Sequence, residues 1–352
     1  MIDRRVPDGS KESMERIGLC FLDRPDLSEQ LRLTRRADEL GFESVWVCET
    51  RLARDAISVL GAMAAITSRV KLGPGVVNTW TRGPALMALT FATLDELAPN
   101  RILCGLGAYW DPLAWKQGIE RRRLITQMRE YVDVVKRLLS MEEVTLEGEV
   151  VHVREIRLDL GDGRPKTPKH VPIYIGATGM QMLELSGKIA DGVLLNAMLS
   201  TDYVRACIAQ VHKGAQAAGR GVNEIDLPLL VSCALDQDGD KARYAGRRLA
   251  TMYVGQQPHI AKASGIDDDL IHRVNEAMGG WPPKEGGIEA AMKLIDEDLA
   301  VRLTASGTPD ECRARLREYE AAGASYPVIL PVTHNVDDMI EAFAPEHSLA
   351  RI

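Results

Sequence analysis

Ile102-Leu103-Cys104-Gly105-Leu106-Gly107-Ala108-Tyr109-Trp110 is the stretch on which the choice of fold turns. An apolar run closing on Gly-x-Gly is how a dinucleotide-binding βαβ unit begins. That fingerprint needs a third glycine three positions further on, where this chain has Trp110. Gly73-Pro74-Gly75, the other candidate, lacks its third glycine too. A doubly wound sheet therefore has no signature here, and the alternation around the stretch decides instead. Strand-like runs fall at 17–21, 44–48, 70–77, 102–106, 171–175, 192–195, 227–234 and 326–330, each apolar on both faces. Helical spacing separates them, at 27–40, 55–67, 84–97, 121–140, 180–190, 202–218 and 240–299. The last of these is broken at Gly279-Gly280-Trp281-Pro282-Pro283, and Thr308-Pro309-Asp310-Glu311 is a capping box opening a further helix to 322. Eight buried strands alternating with helices predict an α/β fold of the (β/α)8 TIM-barrel type.

Such a barrel needs roughly 250 residues, and the chain has 352. The surplus is assigned to a flexible N-terminal extension (1–15), insertions at about 144–170 and 255–300, and a C-terminal tail (346–352). Residues 16–345 form one barrel domain on this reading, with the main insertion after strand seven. The 144–153 segment, with Gly148 inside it, reads as a hairpin outside the alternation.

Composition removes several function classes. The net charge is −7 and no basic run occurs, which excludes a nucleic-acid partner. No apolar stretch reaches the ~18 residues of a membrane span. Residues 1–16 are charged, without the apolar core of a secretory signal, so a cytoplasmic location is expected, and Met14 is a second candidate start. The six Cys are scattered with no CxxC pair, and the seven His show no HxxxH spacing, so no metal site is expected.

Barrel enzymes work at the C-terminal ends of their strands. Those ends carry Glu49 after strand two, Asn78 to Arg82 after strand three, and Gly107 to Asp111 after strand four. Gly176 to Gly179 follow strand five, Asn196 strand six, and His334 strand eight. Aromatics are only 5%, yet five Trp outnumber four Phe, and Trp80, Trp110 and Trp115 gather in two of these loops. Flat side chains there suit a planar ligand, or plug the barrel as hydrophobic caps. Trp281, in the helix breaker, is placed to close over the same mouth. At least two of Trp80, Trp110, Trp115 and Trp281 are expected on the cleft wall. Gly176-Ala177-Thr178-Gly179 joins a strand to a helix, which is either a phosphate cradle or an ordinary tight turn. Glu49 is placed as an acid or base, or as a salt-bridge or cap partner.

Arg69-Val70-Lys71-Leu72-Gly73-Pro74-Gly75-Val76-Val77-Asn78, Thr81-Arg82-Gly83-Pro84 and Thr93-Leu94-Asp95-Glu96-Leu97 resemble the third-strand region of the luciferase-like oxidoreductases. Gly105-Leu106-Gly107-Ala108, Gly176-Ala177-Thr178-Gly179 and Ala190-Asp191-Gly192-Val193 are similar to the same family. The resemblance covers about 16–343 and points to the methylenetetrahydromethanopterin reductase-like branch, whose members use the deazaflavin coenzyme F-420. It implies a non-prolyl cis peptide at Gly75–Val76 behind the ring, with Asn78, Gly107 and Asn196 lining the ring. It also implies a phosphate site at Gly176, Ala177, Thr178, Gly179 and Met180. Many relatives carry Asp-His after strand two and Glu after the strand-four glycines; this chain has Cys48-Glu49-Thr50 and Ala108.

The expected activity is hydride transfer between the deazaflavin and a small organic electrophile. Glu49 is assigned to proton management and Trp110 to the substrate wall, with Trp80, Arg82, Tyr109, Trp115 and His334 as substrate-binding residues. Arg82 would hold an anionic group. A homodimer is the expected assembly. The alternatives are an FMN-dependent monooxygenase of the same superfamily and a flavin-binding barrel without turnover.

Overall fold

The computed structural model of the chain describes residues 14–161 and 166–345. The C-terminal tail and most of the proposed N-terminal extension lie outside these residues, but Met14 is buried in the core rather than part of a free arm.

The first half runs β1 (Gly18–Phe21), α1 (Leu27–Glu39), β2 (Ser44–Val47), α2 (Ala56–Ile66), β3 (Lys71–Pro74), β4 (Val77–Asn78), α3 (Pro84–Leu97), β5 (Cys104–Gly107), α4 (Asp111–Lys116) and α5 (Leu124–Leu139). The hairpin β6 (Val144–Glu147) and β7 (His152–Ile156) follows, antiparallel and apart from the barrel. Then come β8 (Ile173–Ala177), α6 (Met180–Ile189), β9 (Gly192–Leu195), α7 (Thr201–Ala217) and β10 (Pro228–Leu235). The insertion is five helices in place of one: α8 (Gly239–Gln256), α9 (Pro258–Ala263), α10 (Asp268–Met278), α11 (Gly287–Met292) and α12 (Glu297–Leu303). The chain ends β11 (Ala305–Gly307), α13 (Pro309–Ala321), β12 (Tyr326–Pro331) and α14 (Val336–Phe343).

The barrel strands pair in parallel in the order β3-β2-β1-β12-β10-β9-β8-β5-β4. The third strand of the expected barrel is split into β3 and β4, and its two halves close the ring on β5. Leu72 bridges Ile102, while Val77 pairs with Leu106 and Asn78 with Gly107. The short β11, absent from the expected strands, pairs with the C-terminal half of β10. Three residues, Ala305-Ser306-Gly307, carry no apolar run long enough to be read from periodicity.

Two apolar layers follow from strands that are buried on both faces. One lies between the sheet and the helices; the other fills the barrel and is built on Trp46, with Cys20, Leu103, Tyr174, Leu194 and Tyr326. The Trp46 indole N–H donates to Ser44 Oγ at 2.8 Å, and its ring meets Tyr174 edge-on at 5.3 Å. A Trp this large inside a barrel demands small neighbours. A Cβ on Gly73 would sit 3.1 Å from Trp46 Cζ3, and one on Gly75 would sit 3.3 Å from Trp46 Cβ.

Helix starts match their caps: Asp26, Asp55 and Ser200 each accept an N–H of the first turn, and Thr308 and Glu311 form the capping box. Among the described residues no helix is long and apolar enough to cross a membrane.

Candidate active site

A cavity of about 790 Å³ opens at the C-terminal ends of the barrel strands. Its floor is the break between β3 and β4, where the Gly75–Val76 peptide is cis. Gly75 N–H donates to Val47 O at 2.9 Å, and the Cys48 thiol donates to Gly75 O at 2.9 Å, so β2 holds this corner from both sides.

The glycines of the opening stretch now have a physical cause. A Cβ on Gly105 would lie 1.9 Å from Pro74 O, and one on Gly107 would lie 2.4 Å from Val76 Cγ2. On the next strand a Cβ on Gly176 would lie 3.0 Å from Val76 Cγ1. The split third strand leans on β5 and β8 at these points, through the Pro74 backbone at Gly105 and the Val76 side chain at Gly107 and Gly176. Gly107, Gly176 and Val76 thereby form a smooth floor, free of side chains beyond one valine, on which a flat ring fits. The cavity is the size of sites that take ring cofactors with a substrate.

Polar groups on the wall are mostly committed. Asn78 Oδ1 accepts from Trp80 N (3.0 Å), Thr81 N (2.9 Å) and Thr81 Oγ1 (3.1 Å), which orders the β4–α3 loop and leaves its NH2 group without a partner among the described residues. Asn196 Oδ1 accepts from Ala197 N at 2.9 Å, turning its NH2 group toward Tyr253 Oη at 3.1 Å. Arg121 donates to Ala108 O at 3.1 Å and pins the loop after β5, in which Tyr109 takes a left-handed φ of 71°. Past β8, Gly179 is the N-cap of α6 and no side chain among the described residues caps that helix, which leaves first-turn N–H groups of the kind that bind anions. Tyr203 Oη donates to Thr178 O at 2.8 Å and fixes this turn from below.

The match to the luciferase-like monooxygenase family extends over residues 5–326. The chain belongs to that family. This luciferase-like protein is 28% identical over 333 residues to 5,10-methylenetetrahydromethanopterin reductase of Methanolobus tindarius, covering 94% of this chain and 98% of that one. It is 31% identical over 300 residues to the enzyme of the same name from Archaeoglobus fulgidus, covering 83% and 86%. Its structure superposes on coenzyme F-420-dependent tetrahydromethanopterin reductase of Methanopyrus kandleri with a TM-score of 0.83 at 28% identity, over 94% and 98% of the two chains.

The structure brings Glu49, Gly75, Val76, Asn78, Gly107, Tyr109, Trp110, Gly176, Thr178, Asn196 and His334 to one cavity wall. Ala177, the last residue of β8, and Gly179 and Met180, at the start of α6, stand just outside it. Three expected substrate contacts need correcting. Trp115 points to solvent, 78% exposed, because α4 turns it away from the mouth. Trp80 is off the wall, and its buried indole N–H has no partner among the described residues. Trp281 is also off the wall, so Trp110 alone of the four tryptophans meets the cleft.

Arg82 is the third. Its guanidinium does not reach the cavity: it holds Glu49 through two bonds of 2.7 and 2.9 Å and also bonds Asp55. The bonds to Glu49 raise its affinity for the proton further. Glu49 also accepts from Ala56 N, at 3.3 Å, at the start of α2. Its oxygens are therefore spent on the protein, which fits the salt-bridge and cap role better than proton transfer.

Sequence reasoning missed the wall supplied by α8 and its C-cap: Leu249, Met252, Tyr253 and Gln256, then Gln257. The first four follow i, i+3, i+4, i+7 spacing, one helix face, which marks a packed stripe but not what it packs on. Asp23 and Arg24, after β1, and Arg51, after β2, also line the rim, with Arg51 paired to Asp23 at 2.9 Å. Among the described residues no group of three or more His, Cys, Asp or Glu is placed to hold a metal.

Proposed function

We propose that this protein transfers a hydride between the deazaflavin coenzyme F-420 and a small organic electrophile carrying a C=C, C=N or C=O bond. The observation that carries this reading is the floor of Val76 between Gly107 and Gly176, where an added Cβ would lie 2.4 and 3.0 Å from the Val76 methyls. The similarity to methylenetetrahydromethanopterin reductases supports the same choice of cofactor.

When bound, the deazaflavin supplies the hydride chemistry. The protein's part is orientation. Gly75, Val76, Asn78, Gly107 and Asn196 would hold the ring, and Gly176, Ala177, Thr178, Gly179 and Met180 its phosphate, through the uncapped start of α6. Trp110, Tyr109 and His334 would face the substrate. Glu49 acts by fastening the end of β2 to Arg82 and α2.

The cytoplasm is the proposed location, supported by six free cysteines. A homodimer is the proposed assembly: Leu86, Leu89 and Leu97 form an exposed apolar stripe on α3.

Fluorescence titration with coenzyme F-420 tests the reading, and saturable one-to-one binding at micromolar protein is expected. No binding would overturn it. FMN binding together with oxygen uptake would replace it with the monooxygenase activity of the wider family.

A further inference from the structure

Among the described residues, the polar groups of the β9 side of the cavity form a short relay with one open end. Ala197 N–H orients Asn196, whose NH2 group donates to Tyr253 Oη at 3.1 Å. Tyr253 thus accepts on its oxygen, while its own O–H has no acceptor among the described residues. Burial pushes this phenol up to about 12, so it remains protonated at neutral pH. An O–H that is anchored, neutral and unspent on a cavity wall is a donor held ready for a ligand.

Its place in the barrel indicates which ligand. Gly176 pairs with Leu194 and Ala177 with Leu195, so Asn196 lies directly beside the end of β8. Tyr253, tethered to Asn196, therefore shares the Gly176 side of the cavity with the glycine floor. The Asp23, Arg24 and His334 rim is carried on β1 and β12, which stand between β2 and β10 in the strand order.

We infer that Tyr253 donates a hydrogen bond to an acceptor atom, a carbonyl oxygen or ring nitrogen, of the heterocycle bound over Val76. This makes Tyr253 a cofactor-binding residue supplied by the insertion, so α8 closes the cavity and also reads the ring. The inference rests on the deazaflavin reading above.

Tyr253→Phe removes the O–H and keeps the ring packing. Wild type and variant are each titrated with oxidised coenzyme F-420, following fluorescence and the visible absorption band of the ring, with thermal melts as a folding control. The variant is expected to bind about tenfold more weakly, as for one lost bond in a low-dielectric site, and to show a bound-state band displaced from that of the wild type. Equal affinity with an identical band, in a variant melting like the wild type, would overturn the role of Tyr253 and leave the cofactor reading standing. Failure of the wild type itself to bind would overturn both. Should the variant melt lower, repeating both titrations at a temperature at which it is fully folded provides the second measurement. A displaced band is expected there too, and an unchanged band would count against the role.

Discussion

Arg82 and Glu49, which follow neighbouring strands, are joined beside the mouth of the barrel by bonds of 2.7 and 2.9 Å, with both side chains 18% exposed. This pair ties the loop after β4 to the end of β2, and Asp55 at the start of α2 shares the same guanidinium. It commits the cation and the two carboxylates to one another.

Removing the two partners should not be equivalent. Arg82→Ala leaves the Glu49 and Asp55 carboxylates adjacent without their shared cation, whereas Glu49→Gln leaves Arg82 still bonded to Asp55. Arg82→Ala is expected to cost about 2 kcal/mol and Glu49→Gln about half of that. Urea unfolding of both variants checks the order; an equal or reversed order would contradict the shared-cation arrangement.

Acid should act through Asp38. This carboxylate is partly desolvated, which alone would raise its pKa, but the N–H groups of Val70, Ser68 and Arg69 and the Ser68 hydroxyl outweigh burial and hold it below its ordinary value. A folded pKa below the unfolded one contributes stability above the unfolded value, about 4, that is lost as pH falls through the folded value. Asp38→Asn is therefore expected to be less stable at pH 7 and to show a flatter loss between pH 5 and pH 2, measured by denaturant midpoints across that range.

The floor sets a graded response among glycines. Gly107→Ala places a Cβ 2.4 Å from Val76 Cγ2, and Gly176→Ala only 3.0 Å from Cγ1. Overpacking of this kind costs about 1–3 kcal/mol, and the first variant should lose more stability and more affinity for F-420 than the second. Adding Val76→Ala to Gly107→Ala removes the clashing methyls, so a double-mutant cycle should show positive coupling of about 1 kcal/mol. Additive effects would mean that the contact is not what restricts position 107.

Two tryptophans five positions apart should behave oppositely. Trp115→Ala, at an exposed site, is expected to stay within about 0.5 kcal/mol of wild type and to bind cofactor normally. Trp110→Ala, on the cavity wall, should leave the fold intact and alter turnover once a substrate is in hand. Paired melting and binding measurements separate them.

Much of this was legible in the chain. Apolar runs separated by helical spacing specified eight strands around a barrel, because burial on both faces leaves a continuous signal. The missing third glycine after Gly105-Leu106-Gly107 rejected a dinucleotide fingerprint, and strand ends located most of the wall. Tryptophan position was less informative. Trp80, Trp110 and Trp115 lie close in sequence to the mouth, but side-chain direction depends on the local turn, and α4 was not visible as a helix in six residues with Pro112 near its start.

What the sequence determined by itself was the order of layers and the ends at which chemistry is placed, since both follow from local periodicity. Tertiary structure alone decided the partners. Arg82 chose Glu49 over the cavity, the glycines of β5 answered to Pro74 and Val76 on another strand, and Tyr253 reached Asn196 from 57 residues away. Such pairings depend on distances across the closed barrel, and no spacing along the chain encodes them.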